Sequence, residues 1–165
     1  MSYRILAAII LAAWTAGVMQ TARAEQAAPT GGAMQTARPE QAAPTGGSTW
    51  TGIYSEAQAK LGAATYAKHC SECHLEDLAG DGFAPALKGP EFMSNWNGLT
   101  VADLFDRIKV SMPPANPSSV TPKEKADIVA HILKQSAFPA GKTDLPMTLD
   151  ALKVLKFEAT KPGNN

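Results

Sequence analysis

The sequence predicts an all-α fold with long loops, and three observations support this prediction. Polar capping residues precede segments whose apolar side chains recur at helical spacing, near residues 55–66, 100–110 and 121–133. Glycine and proline interrupt the chain between these segments, at residues 80–90 and 113–117. No stretch alternates clearly between apolar and polar residues, as a half-buried strand would.

Residues 1–24 have the pattern of a secretory signal peptide. Arg4 gives a positive start, residues 5–18 are largely apolar, and Ala22, Arg23 and Ala24 form a small-x-small cleavage site. An uncleaved membrane anchor is the alternative, but the apolar run is shorter than the roughly 20 residues that cross a bilayer. We therefore expect cleavage after Ala24 and export to the periplasm, with contact to a membrane surface only if the signal is uncleaved.

Residues 19–32 and 34–47 are near copies of each other. They differ only where Ala24 is replaced by Pro39, and both are rich in Ala, Gly, Pro, Thr and Gln. Such polar repeats cannot bury a core, so residues 25–50 are predicted to be a flexible linker. The folded domain is then expected over residues 51–165, as a core of 51–138 followed by a packed C-terminal extension.

The predicted helices follow in order along that domain. Ser55 and Gln58 suggest a capping box for a first helix that continues to the cysteines. Residues 78–98 are expected to be mostly loop. A short helix begins at Thr100 and ends near Val110, residues 111–117 form an extended loop, and a strong helix begins at Thr121. A short helix over residues 149–156 is expected in the tail, whose apolar side chains should pack on the body: Leu145, Leu149, Leu152, Leu155 and Phe157.

The chemical signal of the chain is the run CSECH at residues 70–74, which holds both of its cysteines. This spacing is that of haem c attachment: Cys70 and Cys73 add to the two vinyl groups of one porphyrin, and His74 then reaches the iron. A thioredoxin-like pair would need flanking strands, and a zinc site would need four ligands that are less crowded along the chain. We therefore predict one covalent haem with His74 as an iron ligand.

The sixth iron ligand is expected downstream, where Met93, Met112 and Met147 are candidates. Met112 is favoured because it follows the short helix and opens a proline-rich loop that can hold a thioether in place. Met93 is the second choice. His69 and His131 are further alternatives, and both are expected to face solvent from their helices.

Beyond the motif, residues 51–138 resemble a class I bacterial cytochrome c. The resemblance implies that Gly62 and Tyr66 of the first helix pack against the last helix, and that the carbonyl of Pro85 orients His74. It also implies that Trp96 reaches a haem propionate, although a core aromatic is an equally good interpretation of that residue. The fold implied is helices and long loops wrapped around one covalent haem.

The segments GIYSEAQAKLG, FMSNWNG and FPAG are similar to cytochromes associated with pyrroloquinoline-quinone alcohol dehydrogenases. With His74 and Met112 as ligands the iron offers no place for a substrate, so we expect an electron carrier rather than an enzyme. The resemblance implies a quinoprotein dehydrogenase as donor, with a terminal oxidase or another cytochrome as acceptor. Two alternatives stay open: a haem enzyme with an open coordination position, and a subunit of a dehydrogenase complex. With 15 basic and 15 acidic residues, the chain has no basic field for nucleic acid.

Overall fold

The computed structural model describes residues 46–163 of the chain. The expected signal peptide and nearly all of the expected linker lie outside the described residues. None of the described helices is long and apolar enough to cross a bilayer. The elements are β1 (Gly47–Ser48), α1 (Glu56–His69), α2 (Ser71–His74), α3 (Gly89–Trp96), α4 (Val101–Ser111), a 3-10 turn (Pro117–Ser119), α5 (Pro122–Gln135), α6 (Leu149–Lys153) and β2 (Leu155–Lys156).

The helix starts lie where capping chemistry predicts them. Thr100 and Thr121 each form a complete capping box at the N-termini of α4 and α5. Ser55 caps α1, since its Oγ accepts from the backbone N–H of Gln58 at 3.0 Å. The Gln58 side chain does not complete a box there. It is buried and exchanges two hydrogen bonds with the backbone of Leu145, at 3.0 and 2.6 Å, which ties the C-terminal extension to α1.

Residues 78–98 are mostly loop, as expected, but residues 89–96 within them form helix α3. Its eight residues begin at Gly89, and Pro90 occupies the first turn, where a missing backbone N–H costs nothing. Phe92 and Trp96 lie four residues apart on one face, and Phe92 is buried in the core. The density of glycine and proline before the helix concealed this short amphipathic segment.

Helices α1 and α5 make the main helix contact of the described domain, and Gly62 permits it. A Cβ at Gly62 would lie 1.8 Å from the carbonyl oxygen of Asp127, so only glycine allows this approach. On the same contact, the rings of Tyr66 and His131 lie 5.3 Å apart. His131 is only 7% exposed, so the expectation that it faces solvent was wrong. The His131 ring packs against the Tyr66 ring of α1.

The C-terminal extension wraps across the body and meets the start of the described chain. Gly47 and Ser48 pair in parallel with Leu155 and Lys156, and the indole Nε1 of Trp50 donates to the carbonyl of Glu158 at 2.9 Å. The folded part therefore begins a few residues before the expected Thr51. Helix α6 ends at Lys153, earlier than predicted, because the next residues form this pairing. Four apolar side chains of the tail are buried in the domain: Leu145, Leu152, Leu155 and Phe157.

Candidate functional site

The two cysteines and His74 lie at the junction of α1 and α2. The backbone N–H of His74 donates to the carbonyl of Cys70 at 3.0 Å, so one helical turn separates the two residues. Cys70 is half-buried, Cys73 is exposed, and both are free thiols. Burial raises the pKa of Cys70 to about 11, so its thiol is protonated at neutral pH.

The imidazole of His74 is buried and held in one orientation. Its Nδ1 lies 2.8 Å from the carbonyl oxygen of Pro85. A carbonyl can only accept, so Nδ1 carries the proton and donates, and Nε2 is left with its lone pair for a metal. This bond is the one that the resemblance implied for Pro85. It fixes the tautomer and the orientation of the ring.

The chain between His74 and Pro85 forms a tight turn that directs the Pro85 carbonyl toward the His74 ring. Leu75 and Leu78 have φ of 61° and 62°, a region that leucine rarely adopts. The Tyr66 hydroxyl donates to the Leu75 carbonyl at 2.7 Å and holds the first of them in place. Gly80 has φ of 73°, and a Cβ there would lie 2.3 Å from the carbonyl of Ala84. The segment is held at both ends by backbone hydrogen bonds, from Gly80 to His74 at 3.0 Å and from Leu87 to Leu78 at 2.9 Å.

Met112 is the predicted methionine that the structure brings beside the haem-attachment motif. It caps the C-terminus of α4, where its N–H donates to Ile108, and its side chain lines a narrow apolar crevice together with Cys70. Met93 and Met112 both pack against the hydrophobic core, but Met93 does not line this crevice, and Met147 is 53% exposed. The other residues lining the crevice are Ile108, Pro113, Val120, Lys125 and Ile128.

Trp96 lies at the end of α3 and away from that crevice. Its ring is partly buried, with its centroid 6.2 Å from that of Phe92. The position is compatible with a core aromatic, and the expected bond to a haem propionate stays a prediction.

Lys125 is a site residue that the sequence reasoning missed. It is 3% exposed, and its Nζ donates to the carbonyls of Lys109 at 2.9 Å and Pro117 at 2.7 Å. A helical register could have found it, because Lys125 precedes Ile128, Val129 and Ile132 on the same stripe of α5. Burial and the nearby charge of Lys109 lower its pKa, while Cys70 opposes that shift.

These residues fit haem c. Two thiols one turn apart can bind one porphyrin edge, the free Nε2 of His74 can bind iron, and Met112 offers a thioether beside Cys70. The remaining crevice lining is apolar except for Lys125, as a largely apolar macrocycle requires. The hydrogen bond between His74 and Pro85 is formed by protein atoms alone. It therefore orients the imidazole ring independently of any metal.

Comparison with known proteins agrees with this reading. Residues 57–132 match the family model described as Cytochrome C oxidase, cbb3-type, subunit III. No curated protein and no solved structure matches the chain. The match and the helical architecture together confirm the all-α class I cytochrome c fold predicted from the sequence. They support a c-type cytochrome, which is a haem-based electron-transfer protein with covalently bound haem c.

Proposed function

We propose that this protein is an exported, monohaem c-type cytochrome that carries single electrons between redox proteins, with Cys70 and Cys73 attaching the haem and His74 and Met112 as axial ligands. One observation carries the proposal. The buried His74 ring is fixed by Pro85 with its Nε2 free, at the attachment motif and near the crevice that Met112 lines with Cys70.

The residues of the chain would divide the work as follows. When bound, haem c supplies one-electron cycling between ferric and ferrous iron. Pro85 holds the proton on Nδ1 of His74, so the axial nitrogen stays available in both redox states. Met112 offers a thioether, which raises the reduction potential relative to a more basic ligand. Ile108, Val120 and Ile128 exclude water from the crevice.

The ligand assignment is tested by replacing Met112. The Met112→Ala holoprotein should lose the near-infrared sulfur-to-iron band of the ferric state, and its reduction potential should fall. Met93→Ala is the matched control, since Met93 packs in the core, and its spectrum should be unchanged. The opposite pattern would move the ligand to Met93. A band that survives in both variants would move it to Met147, and a native ferric protein without the band would exclude methionine ligation.

Export and the number of haems are tested by mass. Cleavage after Ala24 and one attached haem predict that the denatured holoprotein has the mass of residues 25–165 plus a single haem. A mass without haem, with Cys70 and Cys73 joined in a disulfide, would contradict the central proposal. A mass that includes residues 1–24 would contradict cleavage and favour a membrane anchor.

The partners are proposed from the narrower resemblance. We infer that a separate quinoprotein alcohol dehydrogenase donates electrons and that a terminal oxidase or another cytochrome accepts them, through a small and transient contact. Stopped-flow mixing of the oxidised protein with a substrate-reduced dehydrogenase from the same cell should reduce the haem rapidly. Reduction by a cytochrome bc1 complex alone would reassign the protein as a general respiratory carrier.

A second candidate is a haem subunit held within an oxidase assembly, which the match to a family of oxidase subunits favours. The two candidates differ in how the protein is purified. A free carrier elutes alone at low ionic strength and in mild detergent. A subunit co-purifies with the oxidase in fixed ratio under the same conditions.

A further inference from the structure

Lys125 is a buried cation to which the electron-transfer proposal gives no role. Its side chain lies inside the domain, and both acceptors of its ammonium group are neutral backbone carbonyls. Lys123, two residues closer to the helix start, shows the ordinary alternative: it is half-exposed and pairs with the carboxylate of Asp127 at 2.7 Å. A lysine is rarely buried without an acid, so its position calls for a reason.

The two carbonyls that Lys125 binds flank Met112 in the chain. The Lys109 carbonyl belongs to the last turn of α4, where carbonyls lack partners within the helix. The Pro117 carbonyl stands at the start of the 3-10 turn that returns the chain to α5. One Nζ therefore closes the segment 110–116, which contains Met112, against the helix that carries Lys125.

Lys125 also brings its charge close to the crevice, because its ammonium group lies behind the apolar lining, on the carbonyls of Lys109 and Pro117. Lys125 lines that crevice together with Met112 and Cys70, and the other lining side chains are apolar. In such surroundings a charge is weakly screened and acts over a longer range than at the surface. A fixed ammonium there disfavours any neighbouring group that gains positive charge, as ferric iron does relative to ferrous iron.

We propose that Lys125 is a positioning residue for the sixth ligand, holding the segment that carries Met112, and that its buried charge raises the reduction potential. The inference rests on the proposed role of Met112 as an axial ligand. It predicts one effect on geometry and one on electrostatics, and the two are measured separately.

The test compares Lys125→Leu with Lys109→Leu in the full holoprotein. Both changes remove one positive charge, but the Lys109 side chain is exposed and its backbone carbonyl survives the substitution. Lys125→Leu should favour the ferric state about tenfold, which for one electron is about 59 mV, and should weaken the sulfur-to-iron band. Lys109→Leu should change the same equilibrium by less than about threefold. Equal shifts, or no shift in Lys125→Leu, would overturn the electrostatic part.

The positioning part is read from amide hydrogen exchange. The N–H of Met112 is bonded to Ile108 and that of Asn116 to Pro113, so both report on the closed segment. Both should exchange faster in Lys125→Leu and at the native rate in Lys109→Leu, at matched global stability. Unchanged exchange in Lys125→Leu would overturn the positioning role.

If Lys125→Leu does not fold, the native holoprotein still decides the matter. The Lys125 ammonium should give a slowly exchanging nitrogen resonance with couplings through hydrogen bonds to the carbonyl carbons of Lys109 and Pro117. A rapidly exchanging ammonium without such couplings would overturn the proposal. Failure of the ligand assignment itself appears differently, as a sulfur-to-iron band that survives Met112→Ala.

Discussion

The two sides of the candidate haem site are built in different ways. The proximal segment, residues 70–87, is held mainly by bonds within itself, from Gly80 to His74, from Leu87 to Leu78 and from the His74 ring to Pro85, with one further bond from the Tyr66 hydroxyl to Leu75. The distal segment, residues 108–120, depends on a side chain from another helix, since Lys125 ties both of its ends. A self-contained segment should keep its geometry when the helices shift, whereas a tied segment follows them. The geometry of the histidine side therefore depends mainly on local bonds, and that of the methionine side also on the position of α5.

The largest effect is expected from Gly80→Ala on the proximal side. A Cβ there would lie 2.3 Å from the Ala84 carbonyl, and φ is 73°, so steric overlap and backbone strain combine to cost about 3 kcal/mol of unfolding free energy. Gly82→Ala is the matched control, because φ is 94° but a Cβ would meet nothing within 4 Å. It should cost about 1 kcal/mol. Denaturant unfolding of the two holoproteins measures both, and equal losses would mean that the proximal segment yields easily.

A smaller effect is expected from Tyr66→Phe. The change leaves the Leu75 carbonyl without its hydroxyl donor and should cost about 1.5 kcal/mol. Tyr54→Phe removes the same chemistry elsewhere, a 2.6 Å bond from the Tyr54 hydroxyl to Phe138, at a similar cost. Only Tyr66→Phe should also shift the NMR signals of the His74 ring. A shift of those signals in both variants would mean that the geometry of the proximal segment also depends on distant parts of the domain.

Replacing a helix-capping residue by alanine should lower the free energy of unfolding by about 1 kcal/mol on either side of the site. Thr121→Ala frays the first turn of α5, in which the Lys125 N–H is bonded to the Thr121 carbonyl at 3.0 Å. Ser55→Ala does the same to α1, which leads to the cysteines. Both should lose similar stability by denaturant unfolding, but only Thr121→Ala should speed amide exchange at Met112. Faster exchange there in Ser55→Ala as well would contradict the separate support of the two sides.

The smallest effect concerns acid. The backbone N–H groups of Ala84 and Phe83 bond to the Asp81 carboxylate, at 2.8 and 2.9 Å, and lower its pKa below the ordinary value near 3.9. Because the folded pKa is the lower one, the contribution is present above about pH 4 and is lost as pH falls through the folded pKa. The loss of unfolding free energy between pH 5 and pH 3 should therefore be slightly smaller in Asp81→Asn than in the native protein. An identical pH dependence in both would mean that the Asp81 carboxylate does not stabilise the proximal segment.

Much of this architecture could be predicted from local sequence. Capping residues gave the starts of α1, α4 and α5, because a side chain bonding to a backbone three residues away is a local event. The attachment motif is equally local. The order of the helices and the packed tail followed from apolar spacing alone.

The parts that escaped prediction depend on contacts distant in sequence. Burial of His131 follows from the passage of α1 over α5, which Gly62 permits and which no single helix pattern reveals. The role of Lys125 depends on carbonyls 16 and 8 residues before it in the chain. The full length of helix α3 was not predicted because its N-cap residue, Lys88, is not a typical capping residue and makes no side-chain hydrogen bond to the first turn.

The pairing of Gly47–Ser48 with Leu155–Lys156 determines how the domain bears mechanical load. The strands are parallel, so a pull on the chain before Gly47 and an opposite pull beyond Lys156 slide them along each other and load their hydrogen bonds together. Trp50 and Thr49 add two bonds to Glu158 in the same place. Force applied at the two ends of the described chain therefore acts on the hydrogen bonds between residues 47–50 and 155–158 before it acts on the segment that carries Cys70 and His74.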